Sequence, residues 1–484
     1  MKLTSSLVAM LAAAGLLSAC ATGAGPSSAS APPASPAESG AGGGWDQARE
    51  ILGRIRAPAF PDRTFAITDF GARAGGEDCT AAIAKAIAAC HASGGGHVSV
   101  PAGTFRTGAI RLLSNVDLHL EKGSVLQFST DPKAYLPAVF TRWESTECMN
   151  YSPFIYAYEQ ENIAVTGPGT LDGQAGPSNW WSWTDRDRSG TSPASRDAAQ
   201  LVAMADRDVP VEQRVFGAGH YLRPNFFQPN RCRNVLIEGI TIVNSPMWEL
   251  NPVLCTNVIA RGVTIDSPKG PNNDGFDPES CRDVLVEGCS FATGDDCIAI
   301  KSGRNRDGRR VGVAMENMIV RDCVMKDGHA GVAIGSEVSG SCRNIFIEKC
   351  RMDSPNLQRA LRVKSNASRG GTVEGVHMRD IQVGRVAEAI LTVDFLYEEG
   401  AKGDFPPVLR DVTIERVTCK SSPRVLWVES FPAATVDGIT FSHCTFNGVE
   451  TADVVKSVGR ISFDHVDIIP AVETPSLSSR KAVW

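Results

Sequence analysis

The sequence predicts an all-β parallel β-helix, and three observations predict it. First, Val235, Val258, Val284, Met318, Ile345, Val376, Val412 and Ile439 recur at intervals of 23, 26, 34, 27, 31, 36 and 27 residues, a spacing of the solenoid kind. Second, each is followed at steps of two, five and seven by further apolar residues, such as Ile237, Ile240 and Ile242 in the first repeat and Val286, Cys289 and Phe291 in the third. Period-two alternation marks a half-buried strand, and the single step of three marks a bend. Third, the bend is mostly polar: Glu238-Gly239, Arg261-Gly262, Glu287-Gly288, Arg321-Asp322, Glu348-Lys349, Arg379-Asp380, Glu415-Arg416 and Ser442-His443. Each repeat thus supplies two strands meeting at a corner. There is room for a third, such as Ile298-Ala299-Ile300 or Val332-Ala333-Ile334. Stacked coils turn the inward positions into ladders of like residues.

The other elements follow in chain order. Lys2, the apolar stretch Leu7 to Leu17 and Ser18-Ala19-Cys20 read as a secretory signal over residues 1–20. Its closing cysteine resembles the bacterial lipobox, which implies lipidation at Cys20. Residues 21–44 are almost wholly Ala, Gly, Ser and Pro, a tether that buries no core. Residues 45–484 are expected to form the β-helix domain. Within it, residues 78–92 place Ile83, Ala86, Ile87 and Cys90 on one helical face, a short helix suited to cap the open first coil. Val98-Val100, Val116-Leu118-Leu120 and Ile163-Val165 alternate as looser early coils. Residues 174–230 break the repeat and carry Trp180, Trp181, Trp183 and a short helix near 195–207. Long excursions from a rigid scaffold form binding walls or lids. The tryptophans serve either as a sugar-stacking wall or as packing of the loop.

The chain has 484 residues, 43% of them hydrophobic, 21% charged, with a net charge of −6. That balance gives a sizeable core and no electrostatic footprint for nucleic acid. Fourteen cysteines in an exported protein invite disulfides. Cys289, Cys323, Cys350 and Cys444, however, occupy a column otherwise filled by Ile and Val, where cysteine is a small buried hydrophobe. No zinc spacing occurs, so neither metal nor cofactor is expected.

The repeat places the chemistry. Asp295 lies eleven residues after Val284 and His329 eleven after Met318, so both take the same turn on neighbouring coils. Asp274 belongs to the preceding coil, and its Asp-Gly-Phe step matches Asp296-Cys297-Ile298. One coil beyond His329, Arg362 and Lys364 alternate with Leu361 and Val363 and leave one face together. Acids, histidine and base pair therefore converge on one groove. Glycoside hydrolysis needs one protonated carboxyl for the leaving oxygen and one ionised carboxyl for water, roughly 6.5–9.5 Å apart when configuration inverts. Crowding three carboxylates raises the pKa of one of them. Arg362 and Lys364 suit a sugar carboxylate. Asp172 reads as a turn residue near the groove.

Asn272-Asn273-Asp274-Gly275, Gly294-Asp295-Asp296, Gly328-His329 and Arg362-Val363-Lys364 together resemble the four signatures of glycoside hydrolase family 28, the polygalacturonases. Asp69-Phe70-Gly71-Ala72, Gly94-Gly95-Gly96 and Pro101-Ala102-Gly103-Thr104-Phe105 resemble the N-terminal part of bacterial members. The resemblance covers about residues 65 to 470. It implies the right-handed, single-stranded, pectin-lyase-like β-helix and an inverting hydrolysis of α-1,4-galacturonosidic bonds. It also implies Asp295 as general acid, Asp274 and Asp296 as the groups that position or deprotonate water, and His329 as support for the acid. Asn272, Arg362 and Lys364 would bind substrate. Asn273 and Ala330 depart from the usual Thr and Gly and remove no catalytic group. A monomer acting on pectic polysaccharide, periplasmic or held to the outer membrane through its lipid, is expected. The insertion favours exo action. Rival readings are a rhamnogalacturonan or xylogalacturonan hydrolase, a calcium-dependent pectate lyase, and a non-catalytic polysaccharide-binding β-helix.

Overall fold

A computed structural model describes residues 43–471; Cys20, most of the expected tether and the last thirteen residues lie outside them. The described chain winds into a right-handed parallel β-helix with three faces. The two expected strands of each repeat form the first and second faces. The third face begins at Ile110–Arg111, Ile155–Tyr158 and Phe227–Asn230 and passes through single bridges at Leu250 and Phe276. It continues as the strands Ile298–Ile300, Val332–Ile334, Arg359–Lys364, Ala389–Asp394, Arg424–Glu429 and Val454–Lys456.

The observed register is the one read from the repeat. Val235 pairs with Val258, Val258 with Val284, Val284 with Met318 and so on to Ile439. Every residue of the four apolar columns is at most 2% exposed. Stacking removes both strand edges of every inner coil from water and leaves only the end coils to be covered. The thirteen described cysteines are free and buried, among them Cys289, Cys323, Cys350 and Cys444 in the column where they were expected as small hydrophobes.

Two corners hold the coils, and only one is plain from the apolar pattern. At the polar bend, Gly239, Gly262, Gly288, Asp322, Lys349 and Asp380 take positive φ. At the other corner, one residue before the first column, Asn115, Asn162, Asn234, Asn257, Asp283, Asn317 and Asn344 take φ between 53° and 64°. Asn and Asp tolerate this left-handed geometry better than other side chains. Their amides hydrogen-bond from coil to coil at 2.8–3.1 Å, forming an asparagine ladder.

Helix α2 (Thr80–Ala92) buries Ile83, Ala86, Ile87 and Cys90 over the first coil, the expected cap. A second helix, α1 (Gly43–Arg54), begins where the tether was expected to end. It lays Trp45, Ala48 and Ile51 on an outward apolar stripe of the first face formed by Ala164, Leu236, Ile259, Leu285, Ile319 and Phe346. The insertion carries α3 (Pro193–Asp206), opened by a Ser192/Ser195 capping box. Its last residues, Phe227–Asn230, already belong to the third face. An antiparallel hairpin, Val139–Trp143 with Thr146–Asn150, also leaves the helix. Trp180 is 1% exposed against Tyr135 and Phe154, so packing decides its role. Among the described residues no helix is long and apolar enough to cross a membrane.

Candidate active site

The groove runs along the third face, and strand alternation sets its floor. Ile298, Ile300, Val332, Ile334, Leu361 and Val363 point inward, so Ala299, Lys301, Ala333, Arg362 and Lys364 point outward. Phe276 bridges to Ile298, which puts Asp274 on the rung beside Asp296. Gly294 precedes Asp295 in the turn from second to third face. A Cβ there would meet the Gly270 carbonyl oxygen at 2.1 Å, so the turn admits no side chain.

The sequence-selected residues come together. His329 Nδ1 lies 2.8 Å from Asp295 Oδ1, and Lys364 Nζ donates to Asp296 Oδ2 at 2.8 Å. One oxygen from each of Asp274, Asp295 and Asp296 lies within 4.8 Å of the others. That is closer than the 6.5–9.5 Å the sequence suggested for an inverting pair, because neighbouring rungs stand only about 4.8 Å apart. The same oxygens form the one acidic group among the described residues compact enough to hold a cation. Their counter-charge is built in, however, as Lys364 on Asp296 and His329 on Asp295.

Crowding separates the carboxyls as expected, but the raised member is Asp274. Burial, then the Asp295 charge, pushes Asp274 well above the usual carboxylate range. Burial would raise Asp295 too. The His329 hydrogen bond and the Lys364 charge outweigh it and bring Asp295 to about 2. The same hydrogen bond raises His329. The member held low is thus Asp295, the residue expected to donate, and its hydrogen bond to His329 is the route by which it can be resupplied with a proton.

A profile of glycosyl hydrolases family 28 matches residues 218–461, which span every site residue named here. The crystal structure of a hyperthermoactive exopolygalacturonase from Thermotoga maritima superposes with a TM-score of 0.85 at 41% identity, over 89% of this chain and 96% of that one. A probable polygalacturonase of Vitis vinifera is 26% identical over 73% of this chain and 67% of its own length. An endo-polygalacturonase of Pectobacterium parmentieri is 27% identical over 72% and 79%. The chain belongs to glycosyl hydrolases family 28.

A family 28 chain is a glycoside hydrolase, and the Asp274–Asp295–Asp296 cluster is its candidate catalytic centre. Several neighbours of that cluster escaped sequence reading. The ring of Tyr397, one coil past Arg362 and Lys364, has its centroid 5.4 Å from the Arg362 guanidinium carbon and 5.5 Å from Lys364 Nζ. One coil further the register gives Thr392 and Asp394, and Tyr397 lies three residues past that strand, where the repeat carries no signal. Arg223, buried in the insertion, donates at 2.7 Å to Asn272 Oδ1 and to the carbonyls of Pro246 and Pro271. With Oδ1 so engaged, the Asn272 amide nitrogen is left for the groove. Beyond Asn272 a cavity of about 680 Å³ opens between α3 and a wall of Trp143, Glu144, Arg304, Glu398 and Glu399. A second cleft of about 650 Å³, around His97, Asp117 and His119, shares no residue with this site.

Proposed function

We propose that this family 28 enzyme hydrolyses α-1,4-galacturonosidic bonds of pectic polygalacturonate, working from chain ends with inversion. The observation that carries the reading is the carboxylate cluster set beside Arg362 and Lys364 in one groove. Arg362 leaves the same strand face as Lys364 beside the cluster, and its planar fork suits a sugar carboxylate. The relatives named polygalacturonase support this substrate.

In this mechanism the glycosidic oxygen takes a proton from Asp295 as its bond to the anomeric carbon breaks. Water attacks that carbon from the opposite side and passes its proton to ionised Asp274, whose raised pKa makes it the stronger base. His329 reloads Asp295 across their hydrogen bond. The short carboxyl spacing alone would suit retention, where roughly 5–5.5 Å lets a carboxylate attack. Burial argues against that: Asp274 is 3% exposed and Asp296 fully buried. A water can reach such oxygens where an anomeric carbon cannot.

Exo action is supported by the cavity that α3 encloses beyond Asn272 and by the exopolygalacturonase at 41% identity. The test is product profiling on polygalacturonate and rhamnogalacturonan with anomer detection by NMR. The expected result is short uronides from polygalacturonate, inverted at first formation. A viscosity drop far ahead of reducing-end release overturns exo action, an unsaturated product lost on chelation makes the enzyme a lyase, and rhamnogalacturonan cleavage changes the substrate. Residues 1–20 are proposed as an export signal with lipidation at Cys20, checked by radiolabelled palmitate incorporation that Cys20→Ala abolishes.

A further inference from the structure

Beneath the three carboxylates lies a charge that the mechanism above does not use. Lys301 follows the strand Ile298–Ile300, which Asp295 and Asp296 precede, and its side chain is 3% exposed. Its ammonium stands 3.5 Å from Asp277 Oδ1, 3.4 Å from Glu337 Oε2 and 4.4 Å from the centre of the Trp248 ring. Neither carboxylate oxygen of Asp277 has a hydrogen-bond partner among the described residues. A buried carboxylate without hydrogen-bond partners costs least beside an opposite charge, and for Asp277 that charge is Lys301. Glu337 is in turn faced by Arg304, Arg369 and Lys364. The acidic groups that face Lys301 are Glu337, Asp277, Asp274, Asp296, Asp295 and Glu279, and the one cation that faces it among the described residues is Lys364.

We propose that Lys301 is a positioning residue for hydrolysis: its fixed charge, clamped by Asp277, Glu337 and Trp248, sets how readily Asp274, Asp295 and Asp296 hold or release the proton they exchange. Lys301 is too buried to touch a sugar and acts through its field, which a low-dielectric site transmits strongly. Its charge contributes to lowering both Asp274 and Asp295, so its loss moves both the same way. A bystander that only pairs Asp277 and Glu337 would affect stability and leave the titration of the site alone.

The inference rests on the hydrolase reading above, and two measurements separate their failures. The first is kcat/KM against pH for wild type, Lys301→Met, Glu337→Gln and the double variant. Removing the cation moves the acid limb up by about one pH unit. Removing Glu337 frees the cation and moves that limb down, and the double variant returns toward wild type. The second needs no substrate: the His329 titration by NMR, assigned through its loss in His329→Gln, rises in Lys301→Met and falls in Glu337→Gln. Single variants that shift the same way, or leave both readouts unmoved while melting earlier, overturn the proposal. Where Lys301→Met does not fold, Glu337→Gln decides alone. A wild type without hydrolysis overturns the proposed function, and the His329 titration still judges Lys301.

Discussion

Asp274 and Asp295 share one cluster and have their pKa values moved in opposite directions, which sets what single substitutions do. Asp295→Asn is expected to lower kcat by about 10³-fold or more on polygalacturonate, since it removes the carboxyl that hands the proton to the leaving oxygen. An unchanged circular dichroism spectrum with retained hydrolysis would sink the assignment. The pH profile follows from the shifts. Rates climb as Asp274 ionises above its raised pKa and fall as His329 loses its proton above its own. His329→Gln is expected to abolish that alkaline limb and cost about 10²-fold at the optimum. Asp274 also trades stability for function. A carboxyl whose folded pKa exceeds its unfolded value weakens the fold as pH rises past the unfolded value. Asp274→Asn therefore raises Tm at pH 7 by on the order of 2 °C, with the gain vanishing near pH 4 and activity lost throughout. Equal gains at both pH values would refute the cause.

At the scale of elements, Arg223 alone of the insertion's basic groups ties it to the loop before Asp274, through hydrogen bonds at 2.7 Å to Pro271 and Asn272, with a third to Pro246. Arg223→Met is expected to raise KM about tenfold, the value of roughly one hydrogen bond to a charged group, with kcat less affected. Adding Asn272→Ala should cost nothing more; additive losses in that double variant would show the two act separately. The register of these elements was legible in the sequence because inward side chains must be apolar on every coil, as from Val235 to Ile439. The placement of His329 beside Asp295 followed from counting residues along that register. The asparagine corner was in plain view at Asn234, Asn257 and Asn317, but a single polar residue carries no periodic signal. Its meaning is a backbone angle.

At the scale of the whole molecule, the first face carries two outward ladders. One alternates in sign, Glu238, Arg261, Glu287, Arg321, Glu348 and Arg379, with ion pairs joining Glu238 through Arg321 and Glu348 to Arg379. A slip of one coil would set like charges together, so the ladder guards register. The other is the apolar stripe from Ala164 to Phe346 that α1 covers. Ile51→Asp puts a charge against that stripe and is expected to lower Tm by several degrees, since burying such a charge costs about 3–5 kcal/mol. The kcat should hold, because the groove lies on the third face. Loss of kcat without loss of Tm would contradict that separation. The sequence by itself determined the winding, the inward columns and which residues meet in the groove, because all three are consequences of one repeated pattern. Only the tertiary structure decided that Leu236, Ile259 and Leu285 face a helix, that Lys301 is buried under the carboxylates, and that Asp274 holds the raised pKa. Burial and the distances between charges are properties of stacked coils, and no single coil carries them.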